Sequence, residues 1–229
     1  MTINSRQDEL KSALSNRLLV IDGAMGTAIQ NRDLGPDDFG GAEYEGCNEY
    51  LIITRPDVIE DIHRSYLEAG ADIIETDTFG STPVVLAEYD LAQEARRLNR
   101  DAAALARRVA EEYSSPDKPR FVAGSMGPTT KTISVTGGIT FEELAADYHT
   151  QAAGLIEGGV DLLLLETSQD TINVKAGLEG IDRAFVELGR EIPVAVQGTV
   201  EPMGTLLAGQ DVEAFYTSLS HRDLLWIGL

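Results

Sequence analysis

Short apolar runs alternate with longer amphipathic segments along this chain. The runs predict six buried strands, at Leu18–Ile21, Asp72–Ile74, Phe121–Ala123, Leu162–Leu165, Pro193–Val196 and Leu224–Ile227. Apolar positions at helical spacing predict helices between them, at Pro56–Ala69, Ala92–Tyr113, Phe141–Glu157, Thr171–Leu188 and Asp211–Ser220. Repeated strand–helix units with near-continuous apolar strands predict an α/β fold, in which helices cover a parallel sheet.

The residues at the helix ends support these boundaries. Pro56 occupies a favoured first-turn position, and Gly70 follows the end of the same helix. Thr140 and Glu143 have the spacing of a capping box. No linker rich in proline, glycine and serine divides the chain, so we predict one domain over residues 1–229, with residues 1–16 as a lead-in segment that is either a polar helix or frayed.

The first four predicted strands each run into small, acidic or hydroxyl-bearing residues. These segments are Asp22–Thr27, Glu75–Thr82, Gly124–Lys131 and Glu166–Asp170. Parallel α/β proteins bind their ligands at the carboxyl ends of the strands. The pattern therefore predicts a binding site where these four segments meet.

Two of these segments carry pairs of carboxylates. Glu75 and Asp77 follow the second strand, and Glu166 and Asp170 follow the fourth. Such carboxylates can hold an ammonium group or a hard cation, or act as acid and base. Helix capping is the alternative, and it is favoured for Asp170, which directly precedes a predicted helix. A functional role is favoured for Glu166, because it is the first polar residue after four consecutive leucines.

The Asp22–Thr27 segment contains two glycines, which let backbone N–H groups approach a ligand closely. Such a turn suits a phosphate or a carboxylate. The alternative is a plain turn in which Asp22 caps a helix. The spacing is that of neither a Walker loop nor a dinucleotide fingerprint. In the loop after the third strand, Lys131 could contact an anion, although a solvated lysine is the commoner case.

The charge balance narrows the classes of partner. The 229 residues include 38 acidic and 18 basic side chains, which gives a net charge of −20. A chain this acidic repels phosphate backbones, so we expect no nucleic-acid partner. No apolar run is long enough to span a bilayer, and residues 1–16 have no apolar secretory core. We therefore expect a cytoplasmic protein without a membrane partner.

Cysteine and histidine do not predict a metal site. Cys47 is the single cysteine, so an internal disulfide is impossible and a reducing compartment is expected. The three histidines, His63, His149 and His221, are scattered without the local spacing of metal ligands. We predict neither a metal role nor nucleophilic catalysis for Cys47.

Six short motifs, taken together and in order, resemble the homocysteine S-methyltransferase family. They are Asp22–Thr27, Gly46–Leu51, Thr54–Asp57, Glu75–Phe79, Gly124–Pro128 and Leu165–Asp170. The resemblance extends over residues 15–229 and is strongest to the N-terminal homocysteine-binding domain of the cobalamin-dependent methionine synthases. It implies a (β/α)8 barrel of the TIM type. Only about six βα units are present in this chain, so we expect a barrel that is incomplete at its C-terminus.

The resemblance also implies a reaction. Homocysteine would be methylated to methionine as a zinc-activated thiolate, with methylcobalamin as the methyl donor. Folate- and cobalamin-binding domains of the full-length protein would be its partners. The family's three zinc-binding cysteines would lie beyond Leu229, and Cys47 matches none of them. We therefore expect this chain to supply no zinc ligand and no catalytic residue, and to be inactive alone.

The resemblance implies that a set of residues binds the amino-acid end of homocysteine. The substrate carboxylate would lie on backbone N–H groups of the first turn, and the ammonium would lie near Glu166, with Asp22 close by. The substrate-binding residues are therefore expected to be Asp22, Gly23, Ala24, Met25 and Glu166. Possible further pocket residues are Thr76, Asp77 and Ser125.

The residues alone are also compatible with other functions. One alternative is a non-catalytic barrel fragment that binds an amino acid or an anion through the first turn and Glu166. Another is a metal-dependent lyase of the TIM-barrel type, with Glu75, Asp77 and Glu166 around a hard cation such as Mg²⁺. Betaine or S-methylmethionine could replace methylcobalamin as the donor.

Overall fold

Five parallel strands form one sheet, and their order in the sheet is their order in the chain. The strands are β1 (Ile73–Glu75), β2 (Phe121–Met126), β3 (Leu162–Ser168), β4 (Val194–Gly198) and β5 (Trp226–Gly228). This computed structural model describes residues 3–229, with side chains from Arg6 onward. Every neighbouring pair of strands is parallel, as the apolar runs predicted.

Helices connect the strands and account for most of the remaining chain. They are α1 (Ile3–Asn16), α2 (Met25–Gln30), α3 (Leu51–Thr54), α4 (Pro56–Ala69), α5 (Pro83–Leu86), α6 (Ala95–Glu112), α7 (Phe141–Gly158), α8 (Thr171–Leu188) and α9 (Val212–Leu219). The predicted capping box is confirmed, because Thr140 and Glu143 bond each other's backbone at the start of α7. No described helix has the length and apolar character needed to cross a membrane.

The first predicted strand, Leu18–Ile21, is wrong in extent. Only Ile21 pairs with the sheet, through a parallel bridge to Ile73, while Val20 O accepts hydrogen bonds from the N–H groups of Asp72 and Ile73. This segment lies at the sheet edge and has a neighbour on one side only among the described residues. Leu18 and Val20 are 92% and 59% exposed. Because their side chains are not buried, packing does not stabilise a longer strand here.

The strands also end later than the apolar runs do. β2 continues to Met126 and β3 to Ser168, so Ser125 and Glu166 belong to strands, as Glu75 does in β1. The predicted ends, at Ala123 and Leu165, marked the end of each continuous apolar run and not the end of the hydrogen-bonded ladder. This difference matters for the site, because a residue within a strand has a defined face.

The two faces of the sheet carry separate cores. Residues of the outer face pack against the connecting helices; they include Ile74, Val122, Leu163, Leu165, Val194 and Val196. Residues of the inner face pack against Leu10 of α1; they are Ile73, Phe121, Ala123, Leu162, Leu164 and Ala195. Both sets are buried. The inner face is therefore apolar toward the amino ends of the strands, where α1 covers it.

Acidic residues just before two strands stabilise the amino ends of the sheet. Asp72 accepts the N–H of Val20 and forms a bidentate ion pair with Arg17, with both N–O distances at 2.8 Å. Asp161 accepts the N–H of Val122 and pairs with Arg6 of α1 and with Arg107. These buried carboxylates are structural, and the α1 segment is thereby tied to the sheet.

Candidate functional site

A cavity of about 270 Å³ opens at the carboxyl ends of the strands. Residues from the first turn, from β1 to β3 and from the segment before α3 surround it. They are Asp22, Gly23, Ala24, Met25, Gly26, Asn48, Glu49, Glu75, Thr76, Asp77, Phe79, Ser125 and Glu166. All eight residues named from the sequence are in this set, so the structure brings them together. Their roles in binding stay a prediction.

Strand alternation directs three of these side chains into the cavity. Ile73, Ala123 and Leu164 lie on the inner face of the sheet. The residues two positions further along are Glu75, Ser125 and Glu166, which therefore share that face. The inner face changes from apolar to polar near the carboxyl end of each of three neighbouring strands. The change is staggered along the strands, because Glu75 is paired with Ala123 and Ser125 with Leu164. This change creates the cavity floor.

Glu166 is held by a short hydrogen bond and is followed by an irregular backbone. Ser125 Oγ donates to Glu166 Oε1 at 2.5 Å. Thr167 has a φ of 52°, which side-chain-bearing residues rarely adopt. The register between β3 and β4 shifts between Leu165 and Ser168. β3 therefore bends directly after Glu166, at the point where its carboxylate enters the cavity.

Asp22 connects the first turn to β1 and does not cap a helix. Its Oδ1 accepts the N–H of Glu75 at 2.9 Å, whereas Ala24 is the N-cap residue of α2 and makes no side-chain cap. The capping alternative for Asp22 is therefore wrong. Gly23 and Ala24 are exposed at the cavity wall, so their backbone is accessible to a ligand.

The cavity is lined by five carboxyl groups and by no lysine, arginine or histidine. Burial, together with Glu166, raises the pKa of Asp22 to about 8. Burial, with Glu166 and Asp22 nearby, raises the pKa of Glu75 to about 9. Burial also raises the pKa of Glu166, and the bond from Ser125 opposes that rise. A cation entering this cavity would relieve the repulsion between these groups.

Glu49 is a cavity residue that the sequence reasoning missed. Its Oε1 accepts the N–H of Gly80 at 2.7 Å, and its pKa is raised by burial. Asp77 lies on the same cavity, and its buried Oδ2 has no hydrogen-bond partner in the part of the chain that the structure describes. Burial and then Glu49 raise the pKa of Asp77 well above its usual value. Glu49 belongs to the Gly46–Leu51 motif. This motif has no strand or helix periodicity, so the sequence did not indicate where the Glu49 side chain points.

Several other candidates lie outside the cavity. Asp170 caps α8 by accepting the N–H of Ile172 at 3.0 Å, as the capping alternative predicted. Lys131 is exposed. Cys47 is buried, and burial raises the pKa of its thiol to about 12, which keeps it protonated.

The histidines do not supplement the site. His63 is buried in α4, and His149 of α7 pairs with Glu187 at 2.6 Å. His221 lies beside a groove near the amino end of β4. Within residues 3–229, no group of three or more histidine, cysteine, aspartate or glutamate side chains is arranged to hold a metal ion. The lyase alternative therefore finds no ligand set in the described part of the chain.

Comparison with known proteins decides the family. The family model for homocysteine S-methyltransferase matches residues 19–229. This chain belongs to the homocysteine S-methyltransferase family. The methionine synthase of Mycobacterium tuberculosis is 48% identical over 222 residues, and that of Mycobacterium leprae is 46% identical. The matches cover 96% of this chain but only 18% of either relative's length.

Solved structures support the same fold. The homocysteine methyltransferase MmuM from Escherichia coli superposes with a TM-score of 0.78 in its metallated form and 0.71 in its apo form. The sequences are 21% and 22% identical, and the matches cover 96% of this chain and 76% and 74% of the other. The fold is therefore that of a TIM-barrel homocysteine methyltransferase, with part of its βα units present, as predicted.

Proposed function

We propose that this chain is the homocysteine-binding domain of an S-methyltransferase of the methionine synthase type. The observation that carries the proposal is the cavity in which the first turn and Glu166 lie together at the strand ends. Membership of the family supplies the substrate class. The reaction converts homocysteine to methionine.

The cavity suits the two charged ends of an amino acid. The ammonium group binds Glu166 and Asp22, where it offsets the repulsion between carboxylates that have no basic neighbour on the cavity wall. The substrate carboxylate binds backbone N–H groups of Gly23–Met25, which keeps it away from the acids of the strand ends. The two contacts orient the side-chain sulfur of the substrate away from the first turn.

The described residues do not form a zinc site. Cys47 is buried with a protonated thiol, and within residues 3–229 no three or more histidine, cysteine, aspartate or glutamate side chains are arranged to hold a metal ion. We propose that the zinc implied by the family resemblance is bound by residues other than those that the structure describes. This chain therefore binds and orients the substrate, and no further chemical step is assigned to its own residues.

The methyl donor and the partners follow from the relatives. We propose methylcobalamin as the donor, and cobalamin- and folate-binding domains of a longer protein as partners, because the closely similar proteins are named methionine synthases. The chain spans only 18% of their length, which leaves room for such domains. We also propose a cytoplasmic location, where the free thiol of Cys47 would stay reduced.

Calorimetric titration with L-homocysteine and two truncated analogues tests the binding mode. 4-Mercaptobutanoate lacks the ammonium group, and 3-aminopropane-1-thiol lacks the carboxylate. We expect Glu166→Gln to weaken homocysteine binding by about tenfold or more, because a charge-assisted hydrogen bond is lost. The same substitution should leave 4-mercaptobutanoate unaffected. Glu111→Gln on α6, an exposed site far from the cavity, is the control. Equal binding of homocysteine by both variants would refute the assignment of Glu166.

A metal and activity assay tests the limited chemical role of this chain. The 229 residues alone should bind no stoichiometric zinc and transfer no methyl group from methylcobalamin to homocysteine. The measurements are metal analysis after dialysis and methionine formation over time. Methionine production by the purified chain would show that the chemistry resides within these residues after all.

A further inference from the structure

Ser125 makes the one side-chain hydrogen bond to Glu166 among the described residues. The Ser125 hydroxyl is buried, with the residue 3% exposed, and donates to Glu166 Oε1 at 2.5 Å. The second oxygen, Oε2, accepts no hydrogen bond from the described side chains. Glu166 is thus anchored through one oxygen and presents the other to the cavity.

Two threonines that directly follow strand β1 fix the position of Ser125. The N–H of Ser125 donates to Thr76 Oγ1 at 3.0 Å, and its carbonyl accepts from Thr78 Oγ1 at 2.7 Å. Thr76 and Thr78 share a hydroxyl contact of 2.6 Å. Because the Thr78 hydroxyl proton is used on Ser125, Thr76 must be the donor in that contact. All three groups are buried, so the ring of bonds leaves Ser125 little freedom.

Burial raises the pKa of Glu166 and thereby favours its neutral form. Asp22 and Glu75 face it from the first turn and from β1, and Glu49 and Asp77 lie on the same cavity wall. No basic side chain lines the cavity. A hydrogen bond donated to the charged carboxylate is the one local contribution that favours ionisation, and Ser125 provides it.

We propose that Ser125 is a positioning residue whose hydrogen bond holds the Glu166 carboxylate and aims it at the ammonium group of the bound amino acid. The inference rests on the proposed function, because it presumes that an amino acid occupies the cavity. Ser125 acts through Glu166, and it makes no contact with the reacting sulfur. Its hydroxyl, rather than its volume, is the property required.

Substitutions at Ser125 separate the hydroxyl from the packing. Ser125→Ala removes the donor, Ser125→Cys keeps the shape with a weak donor, and Ser125→Thr keeps the hydroxyl. Ser81→Ala is the matched control, because Ser81 is also buried but its Oγ bonds no other atom of the described residues. Ser81 does not line the cavity.

Titration of each variant with L-homocysteine between pH 6 and 9 tests the proposal. We expect Ser125→Ala and Ser125→Cys to bind about tenfold more weakly at pH 7, because a hydrogen bond to a charged group is lost. The pH below which affinity falls should move upward in both variants. Ser125→Thr should restore affinity, and Ser81→Ala should match the wild type. Binding of 4-mercaptobutanoate should not change.

The outcomes distinguish this inference from the proposed function. If the wild-type chain binds no homocysteine, the proposed function fails. If the wild type binds and Ser125→Ala binds equally with an unchanged pH profile, the positioning role is refuted while the function stands. Thermal unfolding of each variant identifies any folding defect. If Ser125→Ala is misfolded, the affinity of Ser125→Cys is compared with that of the wild type instead.

Discussion

At the residue scale, the position of each polar side chain within its strand explains the cavity. Glu75, Ser125 and Glu166 each follow a buried inner-face residue by two positions, so they share its direction. The four leucines before Glu166 indicate a buried strand. The apolar residues Ile73 and Ala123 are an equivalent signal for Glu75 and Ser125, because each lies two positions earlier in its strand. Asp77 and Glu49 lie outside regular strands, so no periodicity predicts where their side chains point.

The ligand-free cavity should destabilise the fold as pH rises. The pKa of Glu75 is about 9, raised from 4.5 by burial and by Glu166 and Asp22. The folded chain therefore retains a proton that the unfolded chain loses, so stability falls between about pH 4.5 and 9. Glu75→Gln, which is always neutral, should gain stability relative to the wild type as pH increases through this window. Urea unfolding at pH 5, 7 and 9 measures the difference, with Glu111→Gln as control. Parallel pH profiles for wild type and Glu75→Gln would contradict the prediction.

His63 should destabilise the fold on the acid side. It is fully buried in α4, neither ring nitrogen has a hydrogen-bond partner among the described residues, and burial lowers its pKa to about 4. The stability that depends on neutral His63 is complete above pH 6.5 and is lost as pH falls through 4. The loss amounts to about 3 kcal/mol in this range.

Replacement of His63 tests this contribution. His63→Leu removes the titrating group while keeping an apolar side chain in the core, so the slope of unfolding free energy between pH 6.5 and 4 should decrease. His221→Leu, at a site that is not buried, is the control. An unchanged acid slope in His63→Leu would show that other groups dominate acid unfolding.

At the scale of elements, close packing of α6, α7 and α8 supports the outer face of the sheet. These three helices make the most extensive helix contacts of the described chain. Gly154 and Gly158 of α7 allow backbone contact with α6, and Gly180 of α8 does the same with α7. Glycine at these positions reflects close helix approach and not a special φ angle. The helix periodicity predicted the three helices but not the distance between them.

Addition of one methyl group at Gly180 should therefore be costly. A Cβ there would lie 2.5 Å from Ala145 O and 2.7 Å from His149 N, which are backbone atoms that cannot rotate away. We expect Gly180→Ala to lower the unfolding free energy by about 1–3 kcal/mol, although alanine is the better helix former. Gly35→Ala is the control, because nothing lies within 4 Å of its Cβ position. Chemical denaturation measures both, and equal stabilities would rule out the packing explanation.

At the scale of the whole molecule, the sheet has two edges without a partner strand among the described residues. One edge is the Leu18–Ile21 segment, and the other is β5. Unpaired strand edges with apolar side chains favour association. The net charge of −20 opposes association at low salt by mutual repulsion.

Salt should therefore promote self-association of this chain. Screening weakens the repulsion between chains but leaves the exposed edges attractive. We expect the average mass from light scattering to rise with protein concentration and with salt. Val20→Lys, with its side chain 59% exposed at the edge, should reduce this rise. Val186→Lys is the control, because Val186 is 84% exposed on α8, away from the edge. A monomer under all conditions would refute the prediction.

The sequence by itself determined the order of the five strands and of the long helices between them, the parallel α/β class, the segments that carry the polar residues and the family. These features depend on local periodicity and on short motifs, which are properties of neighbouring residues. Only the tertiary structure decided that Ser125 bonds Glu166, that Asp22 bonds Glu75 and that Glu49 joins the cavity. These contacts join residues that lie 31 to 53 positions apart in the chain, in separate elements. Their geometry depends on register, strand bending and helix packing, which no single segment encodes.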